Sequence, residues 1–135
     1  MQQYTLRLIE KGIEYLPQAD FKRIKRGLRG IYVLYYCPNG QRKKKKLFDV
    51  VYVGLSASGE RGGIRGRLNS HRKNKGNKWT HFSAFKVWDN ITNQEIAELE
   101  GLFRHFFRWD SKANSLNKQR GYRKLKKLPK LELTK

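Results

Sequence analysis

The sequence GIYVLYY occupies residues 30–36, and the sequence VVYVG occupies residues 50–54. β-branched and aromatic residues fill both segments, which is typical of buried strands. Each segment has a tyrosine two residues from a glycine, and we predict that these two, Tyr32 and Tyr52, face one active site.

The connection between these segments is strongly cationic. Pro38-Asn39-Gly40 predicts a turn, so residues 28–36 and 47–53 are predicted to form a hairpin. A run of charge is usually a solvated loop, but its place beside the tyrosines suggests a contact with DNA. The run consists of Lys43, Lys44, Lys45 and Lys46.

The net charge points to a polyanionic partner. Thirty-one Lys and Arg against eleven Asp and Glu give 31 − 11 = +20. This excess favours nucleic acid, and it fits a non-catalytic binder as well as an enzyme.

The length and composition predict one folded domain in a reducing compartment. The chain has 135 residues, and its 38% hydrophobic and 13% aromatic residues exceed what a disordered basic tail contains. Cys37 is the only cysteine, so no intrachain disulfide can form. The N-terminus lacks the apolar core of a signal peptide, and no apolar run has membrane-spanning length. We therefore expect a cytoplasmic protein with no membrane partner.

The remaining elements follow from periodicity and capping signals. Residues 4–9 alternate like a strand, Lys11-Gly12 reads as a turn, and Asp20 is predicted to cap a short helix over residues 21–26. Residues 79–88 form the third strand of the predicted sheet. Thr92 and Glu95 have the spacing of a capping box, which opens a helix over about residues 93–109.

The predicted helix over residues 64–74 carries a polar pair on one face. Arg67 and His71 are four residues apart, which makes them neighbours on a helix. Three further cations on the same helix are candidate DNA contacts, namely Arg65, Arg72 and Lys73. The loop before this helix, residues 55–63, is rich in small residues but lacks the Gly-Lys-Ser/Thr of a phosphate-binding P-loop.

Glu100 is an anomaly in the long helix. It lies inside an apolar stripe formed by Ile96, Leu99, Phe103, Phe106 and Phe107. A carboxylate facing a core is costly unless it is paired or binds a metal ion. The residues alone leave both interpretations open, namely an ion pair with an arginine and a metal ligand.

These side chains together match the needs of phosphodiester cleavage. A water must lose a proton, the developing phosphate charge must be neutralised, and the leaving oxygen must be stabilised. An arginine can clamp the phosphate, and a carboxylate can hold a divalent ion. A tyrosine could serve as the base if neighbouring cations lower its pKa from its usual value near 10.

The pattern resembles the GIY-YIG nuclease family. Gly30-Ile31-Tyr32 and Tyr52-Val53-Gly54 are similar to its two-part signature, with Val for the second Ile. Arg67-x-x-x-His71 resembles its helix motif, and residues 99–103 resemble its glutamate segment. The resemblance covers roughly residues 28–122. It implies an α+β fold with a small three-stranded, mostly antiparallel sheet flanked by helices.

The resemblance also implies roles for these residues. Tyr32, or alternatively Tyr52, would be the general base, with Tyr32 as the first choice. Arg67 would stabilise the phosphate charge, His71 would orient the base or accept its proton, and Glu100 would hold one Mg²⁺ or Mn²⁺. Gly30 and Gly54 would let the backbone approach the site.

Three features depart from the family pattern. Nineteen residues separate Tyr32 from Tyr52, more than is usual, and the loop before Arg67 is also long. The long loop makes Arg61 and Arg65 rivals to Arg67, and Arg61 is also a candidate DNA contact. The family often places an asparagine after the glutamate helix, for which Asn117 is the first candidate and Asn114 the second.

We accordingly divide the chain into a lead-in over residues 1–27 packed on the domain, a nuclease-like domain over residues 28–122, and a basic tail over residues 123–135. The leucines near residues 128–133 could form a last strand or a docked terminus. The expected function is a metal-dependent DNA endonuclease, acting as a monomer or a homodimer. The alternatives are a non-catalytic nucleic-acid binder and a nuclease subunit of a repair, restriction or mobile-element complex.

Overall fold

The computed structural model describes residues 8–37, 48–57, 62–116 and 129–134, with the backbone alone for residues 106–116. These residues form a small α+β domain, which confirms the predicted class. Its elements in chain order are β1 (Ile9–Pro17), a 3-10 helix (Gln18–Arg23), β2 (Gly30–Tyr36), β3 (Asp49–Ser56), α1 (Gly63–Lys75), β4 (His81–Val87) and α2 (Asn93–Leu116). Within the described residues, neither helix has the length and apolar character needed to cross a membrane.

The sheet has four strands in the order β1-β4-β2-β3, so the prediction of three strands was wrong. All three strand pairs are antiparallel. The added strand is β1, which pairs with β4 through two register shifts. These shifts interrupt the alternation of inward and outward side chains, and alternation is the signal by which a strand is recognised in a sequence.

The Lys11-Gly12 turn was also wrong, because both residues lie inside β1. The Gly12 amide donates to the Pro129 carbonyl at 3.0 Å, and the Leu131 amide donates to the Gly12 carbonyl at 2.9 Å. The C-terminal segment 129–134 therefore docks on the outer edge of β1. A long-range partner satisfies the backbone of Gly12, and the local sequence does not specify that partner.

The short helix predicted over residues 21–26 is a 3-10 helix that begins three residues earlier, at Gln18. Its N-cap is Pro17, and Asp20 lies within the first turn. The Asp20 carboxylate forms an ion pair with Arg23 at 3.7 Å, so it neutralises a side chain instead of capping a helix. The buried side chain of Phe21 anchors this turn on the domain.

Two hydrophobic clusters cover the two faces of the sheet. Alternate residues of β2 point to opposite faces, as a strand period of two requires. The first cluster packs Ile31, Val33 and Tyr35 with Leu99 and Phe103 of α2. The second cluster packs Tyr32 and Leu34 with Ile64 and Leu68 of α1. Tyr32 therefore lies on the face of the sheet that α1 covers.

Both helices begin near the predicted residues. The capping box is present: the Glu95 amide donates to Thr92 Oγ1 at 3.1 Å, and the Thr92 amide donates to Glu95 Oε1 at 2.9 Å. Helix α1 begins at Gly63 after the N-cap Gly62, and these two glycines have positive φ angles of 60° and 80° respectively. A Cβ on Gly63 would lie 2.5 Å from the Leu28 carbonyl oxygen, so glycine allows α1 to start directly against the chain before β2.

Both ends of the described chain contribute to the core. Ile9 of β1 belongs to the first cluster, and Leu131 of the C-terminal segment belongs to the second. Thr134 also donates its amide to the Arg23 carbonyl at 2.7 Å. The division into lead-in, domain and tail stays a prediction, but these contacts join the described parts of all three.

Candidate active site

The register of β2 and β3 brings the two tyrosines to the same face of the sheet. Tyr32 lies opposite Gly54, and Leu34 lies opposite Tyr52, and residues opposite each other share a face. Tyr32 and Tyr52 are therefore diagonal neighbours, with ring centroids 6.0 Å apart. The two tyrosines meet as predicted, at the β3 edge of the sheet.

Gly54 leaves room for the Tyr32 ring because it has no side chain. A Cβ at this position would lie 2.5 Å from both Cζ and Oη of Tyr32, and 2.7 Å from Cε2 of Tyr52. No side chain tolerates such distances without movement of its neighbours. The missing side chain of Gly54 thus leaves the space in which the rings of Tyr32 and Tyr52 pack.

Gly30 has a different role from the one expected. A Cβ on Gly30 would lie 1.9 Å from the Phe85 carbonyl oxygen of β4. This glycine therefore allows β2 and β4 to approach closely, and it supports the sheet instead of opening room beside the tyrosines.

Helix α1 brings His71 against the tyrosine pair. The Tyr32 Oη and the His71 Nε2 are 2.9 Å apart, within hydrogen-bond distance. The His71 ring lies 4.7 Å from the Tyr52 ring and 5.6 Å from the Tyr32 ring, measured between centroids. The Trp79 indole donates to the His71 carbonyl at 3.3 Å, which ties this end of α1 to the chain that enters β4.

The two tyrosines differ in how deeply their side chains are buried. Tyr32 is 1% exposed, whereas Tyr52 is 44% exposed. Burial raises the pKa of Tyr32 well above its usual value, Tyr52 raises it further, and Arg67 only partly opposes them. Cations were the condition for a tyrosine base with a lowered pKa, and Tyr32 does not meet this condition because burial outweighs the effect of Arg67.

His71 is held in its neutral form. Burial lowers the pKa of His71 below 6.5, and the positive charges of Arg67 and Lys75 lower it further. At neutral pH the imidazole therefore has one nitrogen without a proton, which can accept one.

Arg67 belongs to the same site. It lies one turn before His71 on α1, and its guanidinium charge acts on the pKa of both Tyr32 and His71. Its side chain is exposed, so a phosphate could reach it from solvent. These observations match the predicted pairing of Arg67 and His71 on one face of the helix.

Glu100 approaches from α2 on the other side of β3. Its side chain is 19% exposed, and its charge contributes to the raised pKa of Tyr32. Glu100 Oε1 accepts a hydrogen bond from Arg104 Nη2 at 3.0 Å. Both alternatives for this carboxylate thus retain support, since it lies near the tyrosines and it has an arginine partner.

A magnesium site built on Glu100 would use few protein ligands. Among the described residues there is no group of three or more His, Cys, Asp or Glu side chains that could hold a metal ion. Mg²⁺ keeps several waters and is often bound by one or two carboxylates together with substrate phosphates. A single half-buried carboxylate at the edge of the site fits that mode of binding, with Arg104 sharing its charge.

The predicted DNA contacts, together with the asparagine expected after the glutamate helix, divide into three groups. Arg65, Arg72 and Lys73 lie on α1, away from the tyrosines, and they line a cavity with Gly62 and Asn69. Asn114 was expected after the glutamate helix but lies inside it, because α2 continues to Leu116, and the backbone alone is described there. The remaining candidates lie outside the described residues, namely Lys43, Lys44, Lys45, Lys46, Arg61 and Asn117.

The sequence analysis missed three residues of interest. Arg104 follows Glu100 by four residues, and this helical spacing for an ion pair was a usable signal. Lys22 and Arg26 line the same cavity as Arg65 and Arg72. No local pattern predicts that Lys22 and Arg26 lie beside α1, because they meet this helix only in the folded chain.

Comparison with models of protein families, with curated proteins and with solved structures yields no match for this chain. The assignment of a function therefore depends on the geometry of the site and on the sequence motifs.

Proposed function

We propose that this protein is a metal-dependent endonuclease of the GIY-YIG type that cleaves the phosphodiester backbone of nucleic acid, with DNA as its expected substrate. The observation that supports this most is the contact between Tyr32 Oη and His71 Nε2 at 2.9 Å, beside Arg67 and Glu100. A structural role for a buried tyrosine and histidine would not require an exposed arginine and a half-buried carboxylate around them.

The proton of the attacking water leaves through the tyrosines to His71. Because the Tyr32 phenol is protonated and His71 is neutral, we assign the hydroxyl as donor and Nε2 as acceptor. Tyr52 is the exposed tyrosine and meets the water. The water proton passes to Tyr52, the Tyr52 proton to Tyr32, and the Tyr32 proton to His71, so no tyrosine has to be ionised beforehand.

Arg67 and Glu100 act on the phosphate. The Arg67 guanidinium donates two parallel hydrogen bonds to phosphate oxygens and stabilises the charge that develops on them. Glu100 would hold a hydrated Mg²⁺ or Mn²⁺. The ion, when bound, would supply Lewis-acid stabilisation of the phosphate and the leaving oxygen. Arg104 holds the carboxylate of Glu100 in place from the next turn of α2.

The test is a cleavage assay with Glu100→Gln. Losing the metal ligand removes several kcal/mol of stabilisation, so cutting of a plasmid in Mg²⁺ should fall at least about a hundredfold. Binding to labelled duplex in EDTA should stay within about twofold, because one carboxylate contributes little to the charge. The matched control is Glu98→Gln, an exposed acid on the same helix. Cutting that persists in Glu100→Gln with EDTA present would exclude this mechanism.

A non-catalytic nucleic-acid binder is the second candidate. The ion pair between Glu100 and Arg104 favours it, because the arginine already neutralises the carboxylate. The raised pKa of Tyr32 also favours it, because a phenol that stays protonated is a poor base. Under this alternative the wild-type protein binds duplex with a steep salt dependence but leaves duplex, flap, branched and single-stranded DNA and RNA intact. Assaying that substrate panel with Mg²⁺ and with Mn²⁺ separates the two functions.

A further inference from the structure

A cationic cavity lies between the 3-10 helix and α1, away from the tyrosines. Its volume is about 320 Å³. No Asp or Glu is among the residues that line it, while five of them are cations: Lys22, Arg26, Arg65, Arg72 and Lys73. The lead-in provides two of these cations, and α1 provides three.

One of these cations is already held in position. Arg72 Nη2 donates to Asn69 Oδ1 at 3.1 Å, and its guanidinium lies 5.1 Å from the centre of the Phe21 ring. The hydrogen bond and the cation–π contact fix the side chain without neutralising its charge. A held guanidinium loses less entropy when an anion binds to it.

The charges in the cavity are not compensated within the described part of the chain. Elsewhere in the described chain, four cations each form an ion pair with a carboxylate, namely Lys11, Arg23, Lys86 and Arg104. None of the five cavity cations has an ion pair with a described residue. Five like charges around one cavity repel each other, so an anionic ligand would relieve an existing cost.

The cavity is separate from the candidate active site. Arg65, Asn69 and Arg72 recur at helical spacing on one side of α1, and Arg67 and His71 lie on another. The buried residues Ile64 and Leu68 fill the remaining side of the helix. The same helix thus presents charge to two places on the surface.

We propose that this cavity binds phosphate groups of a nucleic-acid backbone at a distance from the cleavage site. Several cations spread around one cavity suit a chain of phosphates better than a single small anion, and guanidinium groups bind phosphate through paired hydrogen bonds. This inference rests on the proposed function only for the identity of the polyanion as nucleic acid, and it requires no cleavage.

The experiment measures binding of a labelled DNA duplex in EDTA over a range of NaCl concentrations. The test variant carries Lys22→Gln, Arg26→Gln and Arg65→Gln. The matched control carries Lys25→Gln, Lys78→Gln and Lys130→Gln, which remove the same charge from exposed positions outside the cavity. Each lost phosphate contact lowers the slope of log K against log salt by about 0.9, so we expect a decrease of about 3 in the test variant. In the control the slope should change by less than about 1.

Folding of both variants is checked by thermal melting. If Arg65→Gln impairs folding, the double variant Lys22→Gln, Arg26→Gln replaces the triple one, with Lys25→Gln, Lys78→Gln as its control. Equal loss of DNA binding in the cavity variant and its control would overturn the proposal, because net charge alone would then explain the effect.

Two further probes distinguish the sources of phosphate. Tripolyphosphate should raise the melting temperature of the wild-type protein and do so less in the cavity variant. A cavity variant that loses this response while binding duplex like the control would assign the cavity to a small phosphate ligand and overturn the nucleic-acid proposal. Binding to phosphatidylserine vesicles that depends on the cavity, with duplex binding unaffected, would overturn it too. Duplex binding that depends on the cavity, in a protein that cuts no substrate, would support this proposal and exclude the nuclease.

Discussion

Helix α1 presents two cationic sides that differ in the groups that surround their cations. On the tyrosine side, His71 is half-buried and lies at hydrogen-bond distance from Tyr32, and the exposed Arg67 lies one helical turn before His71. On the cavity side, Arg65 is half-buried and Arg72 is exposed, and neither has an ion pair with a described residue. The first side contains two groups whose pKa values are shifted by burial, Tyr32 and His71, whereas the second contains cations without a carboxylate partner among the described residues.

This difference suggests a division of labour. Chemistry at a phosphate needs groups held at hydrogen-bond distance and tuned by burial. Retention of a polyanion needs only positive potential along its path, and screening by salt weakens it. Changes on the tyrosine side should therefore act on the rate of cutting, and changes on the cavity side on binding.

The largest effect is expected from removal of the Tyr32 hydroxyl. Tyr32→Phe breaks the proton path at its centre, so kcat should fall about 10²–10⁴-fold, the range typical of general acid–base groups. Tyr52→Phe should cost a similar factor, since the path needs both hydroxyls. Single-turnover cutting at saturating protein measures the rate.

Tyr35→Phe is the control for this pair. Its hydroxyl is buried and bonded to Ser83 Oγ at 2.8 Å, on the other face of the sheet. Its loss should reduce stability by about 1 kcal/mol without changing the rate of cutting. Full activity of Tyr32→Phe would rule out the relay and remove the distinction between the two sides of α1.

The next largest effect should separate two arginines on one helix. Arg67→Gln is expected to lower kcat about 10²-fold, as the loss of one donor to the developing charge does elsewhere. Arg65→Gln should leave kcat within about twofold and reduce the salt slope of binding by about 1. If Arg65→Gln lowers kcat as much as Arg67→Gln does, the phosphate clamp is shared and the division fails.

Gly54→Ala tests whether the packing of the tyrosine pair needs the space that Gly54 leaves. A Cβ there would overlap Tyr32, so the variant should lose about 1–3 kcal/mol of stability and also cut more slowly. Gly101→Ala is the control, because no atom lies within 4 Å of its added Cβ and the helical residue is exposed. That change should stabilise the fold by about 0.5–1 kcal/mol. Denaturant melts measure both, and a neutral Gly54→Ala would contradict the described packing.

The smallest effect is a pH dependence set by His71. Since its pKa is lowered, His71 is neutral above pH 6.5 and the rate should be flat there. The rate should fall about tenfold per unit once pH drops below the lowered pKa, because the protonated ring cannot accept a proton. Between pH 6.5 and the lowered pKa, the folded state binds fewer protons than the unfolded chain, so stability decreases as the pH falls through that window.

His71→Gln should have low activity without this inflection. His105→Gln, a change of an exposed histidine on α2, should leave the profile unaltered. An inflection that survives in His71→Gln would assign the titration to another group.

The sequence predicted most of what local chemistry decides. The capping box of Thr92 and Glu95, the helix that brings Arg67 and His71 together, and the pairing of β2 with β3 all depend on residues close in the chain. The strand β1 escaped prediction because its register shifts and its partner β4 are set far away in sequence. The cavity escaped for the same reason, since Lys22 and Arg26 meet α1 only after folding.

For the tyrosine site, the sequence by itself determined which groups are present and their order, from Tyr32 to Glu100. It also determined the total charge that favours a polyanion. Only the tertiary structure decided how far these groups are buried and in which direction their pKa values shift. Burial between α1 and the sheet raises the pKa of Tyr32 and lowers that of His71, while Tyr52 stays exposed. A pKa depends on the solvent and the charges around a group, and the fold sets both.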